Sequence, residues 1–108
     1  MRAVKEAYMA VKILIKRRLP MDKAKAQYIV SIFRQLRMIA LEQEGYISSE
    51  TLRNMENPQE FLVISTWRSL EDWQRWFNSN QRRELHSKVD MLLEGGTTYE
   101  AFQYGFMS

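Results

Sequence analysis

A chain of 108 residues with 45% apolar content supplies one modest core, so a single domain over 1–108 is expected. Its net charge of +3 comes from 16 basic and 13 acidic residues interspersed along the chain, and the densest basic clusters, Lys16-Arg17-Arg18 and Arg82-Arg83, lack the aromatic interleaving of a single-strand binder, which argues against a nucleic-acid partner. The absence of cysteine excludes disulfides, thiolate metal sites and cysteine nucleophiles, and no apolar run approaches the roughly 20 residues that span a bilayer, so a soluble, cytoplasmic protein is expected.

Residues 1–10 read either as an ordered arm or as an extension ahead of the domain. Val11, Ile13 and Ile15 then alternate with Lys12, Leu14 and Lys16, the period-two pattern of a strand with one fully apolar face. Arg17 continues the apolar face, so it is either a strand end reaching water or a polar wall of a pocket. Pro20 stops the strand. Beyond it, Tyr28, Ile29, Ile32, Phe33, Leu36, Ile39 and Ala40 recur at three- and four-residue steps, predicting a long amphipathic helix that Gly45 ends.

Tyr46 to Asn54 and Phe61 to Trp67 are rich in β-formers, and the Asn57-Pro58 turn between them makes an antiparallel hairpin the simplest arrangement. Ser69 followed by Leu70-Glu71-Asp72 reads as an N-cap with an acidic residue three positions on. Leu70, Trp73, Trp76 and Phe77 share the helical face that follows. Asn78-Ser79-Asn80 interrupts it, and Leu85, Val89 and Leu92 resume a helical spacing up to Gly95-Gly96, predicting a kinked helix or two short ones. Thr97 to Phe106 is the last strand. The order β-α-β-β-α-β is that of an α+β, ferredoxin-like fold, a four-stranded antiparallel sheet with both helical regions on one face. The open face, bearing Leu14, Tyr99 or Phe102 depending on register, would favour a second subunit.

The segment Thr66-Trp67-Arg68-Ser69-Leu70-Glu71-Asp72-Trp73, with Trp76 and His86 after it and Glu44-Gly45-Tyr46 before it, resembles the antibiotic-biosynthesis-monooxygenase family over Val11 to Phe106. The resemblance implies a homodimer whose two sheets form an α/β barrel. It also implies one of two chemistries: cofactor-free oxidation of polycyclic aromatic phenols or quinols, or breakdown of heme. The heme-degrading branch uses an Asn on the first strand, a Trp on the second helix and an axial His beyond it. Trp76 and His86 match the latter two in spacing, whereas the Asn position falls on Arg17, a permanent cation in place of a neutral amide.

Weighed as residues, Trp67, Trp73 and Trp76 can all be explained by packing, and Trp76 is the best candidate to stack on a flat ligand because Phe77 can carry the packing beside it. His86, the only histidine, is either a half-buried helix residue or a ligand or proton carrier. Tyr28, Tyr46 and Tyr99 offer phenols whose usual role is structural. The leading expectation is a monooxygenase without a cofactor, in which Arg17 stabilises a substrate anion, Trp76 positions its ring and His86 handles a proton. The alternatives are a heme-binding or heme-degrading protein with His86 as axial ligand, and a non-catalytic dimer that binds a small aromatic or tetrapyrrole ligand.

Overall fold

The computed structural model describes residues 10–105. All but the last residue of the suggested arm over 1–10, and the end of the last strand at Phe106, lie outside them. Strand β1 spans Val11–Arg18, helix α1 Lys23–Ala40, strand β2 Tyr46–Arg53, strand β3 Glu60–Trp67, helix α2 Leu70–Phe77, helix α3 Asn80–Ser87 and strand β4 Thr97–Gln103. The sheet order is β2-β3-β1-β4, and every neighbouring pair is antiparallel. This is the expected ferredoxin-like arrangement, with the second helical region divided in two.

The register sorts the side chains. Val11 stands opposite Trp67, Ile13 opposite Ser65, Ile15 opposite Val63 and Tyr99, and Arg17 opposite Phe61 and Thr97. Directly opposed residues share a face, so Arg17, Tyr99 and Thr97 lie on the side that carries Val11, Ile13 and Trp67. These three residues join Ile29, Ile32, Leu36, Trp76, Val89 and Leu93 in one buried cluster, which places the helices over that face. Tyr99 therefore lies beneath the helices and Phe102, paired with Lys12, on the open side.

Local chemistry sets the helix boundaries. Asp22, in an extended conformation, accepts a hydrogen bond from the Lys25 amide and starts α1, whose buried stripe is Ile29, Ile32, Leu36 and Ala40. The helix stops at Ala40 rather than running to Gly45; residues 41–45 form a separate turn, and Gly45 adopts φ +86° as it delivers the chain into β2. A bulge between Tyr46 and Ser48 then turns Ile47 outward and leaves Tyr46 and Ser49 on the helix side, their hydroxyls 2.8 Å apart.

Ser69 caps α2 by accepting from the Asp72 amide at 3.1 Å. Ser79 both ends and restarts the helical region: its hydroxyl donates to the Trp76 carbonyl at 2.8 Å and accepts from the Arg82 amide at 3.2 Å. The spacing through Leu85, Val89 and Leu92 predicts more helix than forms. α3 ends at Ser87, turns follow, and Leu93 is buried where Leu92 is only half-buried.

Candidate functional site

A cavity of about 420 Å³ lies between the helix-side face of the sheet and the helices, within the range of small-molecule sites. Its sheet wall includes Ile15, Arg17, Phe61, Val63 and Tyr99, and its helical wall Phe33, Leu36, Trp73 and Trp76. Arg34, Arg37 and Arg82 line it together with Arg17, and among the described residues no Asp or Glu does. The cavity thus combines aromatic walls with a cationic polar component, a lining whose chemistry suits an aromatic molecule that carries negative charge or hydroxyl oxygens.

Arg17 reaches it from β1. Its guanidinium carbon sits 4.3 Å from the Phe33 ring centroid, a cation-π contact with α1. Its Nη2 donates to His86 Nε2 at 3.3 Å. No carboxylate among the described residues forms an ion pair with it, and its Nε is buried with no hydrogen-bond partner. Thr97, opposite Arg17 on β4, likewise holds a buried hydroxyl without a partner. Burial pulls the Arg17 pKa below the ordinary arginine value, Tyr99 opposes that pull and Arg82 adds to it. The group remains a cation, because an arginine stays protonated through the working range of a protein.

Arg82, from α3, is a second cation on the cavity wall, and it is buried. It donates from Nη2 to the Tyr99 hydroxyl at 2.5 Å and from Nη1 to the Phe77 carbonyl at 3.2 Å, and its guanidinium lies 4.3 Å from the Phe77 ring. Phe77 meets Tyr99 edge-on at 5.0 Å and Trp73 at 5.0 Å, so the three rings pack as one cluster, of which Trp73 and Tyr99 face the cavity. Periodicity does not single out Arg82, which reads as one of many helix arginines. Its position four residues before His86 is the signal that could have found it, because that spacing stacks two side chains on one helix face.

Of the three residues singled out from sequence, Arg17 and Trp76 line the cavity and His86 does not. His86 is buried behind Arg17, and its Nδ1 is 2.5 Å from Asp90 Oδ1. A guanidinium can only donate and a carboxylate accepts, so the imidazole satisfies both neighbours only as the neutral tautomer with the proton on Nδ1. Burial lowers the His86 pKa first, the charges of Arg17 and Arg82 lower it further, and Asp90 opposes them without reversing the direction. An iron bound to Nε2 would have to occupy the place of the Arg17 guanidinium, and Nδ1 is held by Asp90. The residues as arranged do not fit a heme ligated through His86.

Comparison with known proteins places this geometry in context. The family model described as antibiotic biosynthesis monooxygenase matches residues 13–88. Protein SchA of Streptomyces halstedii is 29% identical over 51 residues, which is 47% of this chain and 13% of that protein, so the chain matches only a small part of that relative's length. Among solved structures, a conserved protein from Methanosarcina mazei Go1 aligns with a TM-score of 0.84 at 17% identity, covering 94% of this chain and 99% of that one. SnoaB, a cofactor-independent oxygenase from Streptomyces nogalater, aligns with a TM-score of 0.75 at 13% identity, covering 91% and 95%. At such identities the structural likeness speaks for the fold.

Proposed function

The chain belongs to the antibiotic biosynthesis monooxygenase family, and from that premise we propose that it is a cofactor-independent monooxygenase oxidising a polycyclic aromatic phenol or quinol with O2. The observation that carries this reading is Arg17, a half-buried arginine whose Nε is fully buried, without a carboxylate partner among the described residues and on the wall of an aromatic cavity. A cation so placed favours the ionised form of a phenol, since the charge-assisted hydrogen bond is strongest where water is excluded.

For an anthrone-type substrate the steps balance without a bound redox group. The enolic hydroxyl loses its proton to solvent and the oxyanion pairs with Arg17. The electron-rich ring gives an electron to O2, the two radicals join at the ring carbon, and protonation yields a hydroperoxide. Loss of water then breaks the O–O bond, so a methylene and O2 become a carbonyl and H2O, with all electrons supplied by the substrate. Trp76, on the cavity wall, would hold the rings in place, and Arg82, also on the wall, would add positive potential where the peroxide anion forms. His86, outside the cavity, takes no proton from the substrate in this scheme.

The chain would work as a homodimer. Supporting this, Leu52 and Phe102 on the open sheet face are 47% and 42% exposed, and stacking a second sheet there would remove them from water. The function is tested with dithranol and related anthrones, following O2 uptake and the incorporation of one heavy oxygen atom from labelled O2 into the quinone. Enzyme-dependent uptake that falls about 100-fold in Arg17→Gln is expected. A rate equal to the uncatalysed oxidation across the panel would overturn the reading.

A further inference from the structure

We propose that His86 and Asp90 are positioning residues that hold the Arg17 guanidinium as an anion receptor: Asp90 fixes the imidazole with its proton on Nδ1, and the Nε2 lone pair tethers Arg17 at the cavity wall. This rests on the reading of Arg17 as the group that meets the substrate anion, and it deepens that reading.

The choice of acceptor is the point. A carboxylate in contact with Arg17 would hold it more strongly, but would also neutralise it and compete with the incoming anion. A neutral imidazole holds the guanidinium through one 3.3 Å hydrogen bond and leaves its charge intact. The compensating negative charge is set one step back on Asp90, whose side chain is 56% exposed and screened by water. From the other elements, Phe33 on α1 stacks on the guanidinium, while Arg82 on α3 and Tyr99 on β4 lie close enough to shift its ionisation.

The held geometry keeps hydrogen-bonding capacity in reserve. The Arg17 Nε and the hydroxyl of Thr97, its partner across the strands, are both buried and both unpaired. A buried donor left without a partner is unfavourable, and the Arg17 Nε belongs to a residue on the cavity wall, where an oxyanion, or a water it displaces, completes it. Protonating His86 would turn its Nε2 into a donor facing a group that has only donors, so the tether exists only while the ring is neutral.

The chain's single histidine makes the imidazole directly observable by nitrogen chemical shifts in histidine-labelled protein. The expected result is a neutral ring protonated on Nδ1 at neutral pH, moving toward the Nε2-protonated form in Asp90→Asn. Binding is read by quenching of tryptophan fluorescence with two flat probes that O2 does not oxidise, anthraquinone monosulfonate and uncharged anthraquinone. Asp90→Asn and His86→Ala should each weaken the sulfonate about tenfold and leave anthraquinone unchanged. His86→Gln, whose amide oxygen can accept from Arg17, should restore sulfonate binding, and Asp90→Asn should add nothing in that background.

The proposal is overturned if the unmodified ring carries its proton on Nε2, if both probes lose affinity together, if Asp90→Asn still acts in His86→Gln, or if the sulfonate does not bind. His86→Ala is dispensable should it fail to fold, because Asp90→Asn and His86→Gln carry the same comparison. Loss of O2 chemistry with this binding pattern intact would count against the monooxygenase reading alone.

Discussion

The side chain of Asp72 packs against the α-carbon of Gly45, so closely that a β-carbon at position 45 would collide with the carboxylate. The turn leading into β2 is thereby seated on the first turn of α2, and the Gly45 carbonyl accepts from the Arg68 amide at 2.7 Å. Asp72 is buried, and Arg75 and Arg68 lie 2.9 and 3.5 Å from its oxygens. Gly45→Ala should cost about 1–2 kcal/mol for its left-handed backbone, with displacement of Asp72 added. Urea unfolding would show a lowered midpoint; an unchanged one would mean that the turn moves aside freely.

Stability should fall with acid in two stages. Burial, then Arg17 and Arg82, hold the folded His86 below its ordinary 6.5. As pH falls through that value the unfolded chain binds the proton first, so folding loses free energy until the native ring protonates as well. Burial alone would raise Asp72, but hydrogen bonds with Arg75 and Ser69 and the charges of Arg68 and Arg75 outweigh it and hold the group below 3.8, so a second loss begins as pH falls through that value. Denaturant midpoints against pH should lose the upper stage, but not the lower, in His86→Gln.

Trp67 is 1% exposed, and its indole N–H donates to the Ser65 hydroxyl at 2.7 Å within the same strand. Ser65→Ala leaves that donor buried without a partner and should cost about 1–3 kcal/mol. Adding Trp67→Phe removes the donor, so the double variant should lose less than the sum of the singles. Additive losses would show that the hydrogen bond contributes nothing.

Ser79→Ala removes the acceptor for the Arg82 amide and the donor to the Trp76 carbonyl together. A loss of about 1 kcal/mol is expected from the cap, along with weaker binding of flat probes measured by fluorescence.

Much of the fold is legible in the sequence because its signals are local. Alternation at Val11, Ile13 and Ile15 reports a strand, three- and four-residue steps through Ile29, Ile32 and Leu36 report a helix, and Ser69 before two acids reports a cap. Gly45 misleads because a glycine with positive φ serves a turn as readily as a helix end, and only contact with Asp72 distinguishes them. The side of the sheet that Arg17 faces follows from parity. That His86 stands behind Arg17 and not in the cavity depends on how α3 lies across β1, a lateral placement that no single-chain period encodes. Tyr99 was visible as a phenol, but its pairing with Arg82 required strand register and helix placement together.

The interruption at Asn78 and Ser79 decides which side chains meet in the cavity wall. Along one unbroken helix, at about 100° per residue, positions 76 and 82 would point about 120° apart, and a surface aimed at the sheet with one would turn the other aside. Two axes meeting at Ser79 release that constraint, so the ring of Trp76 and the charge of Arg82 converge on the same space. Under the proposed function the joint between the helices would act as a selectivity element: residues inserted or removed there would rotate Trp76 relative to the cation and change which substitution pattern on an aromatic ring the cavity accepts.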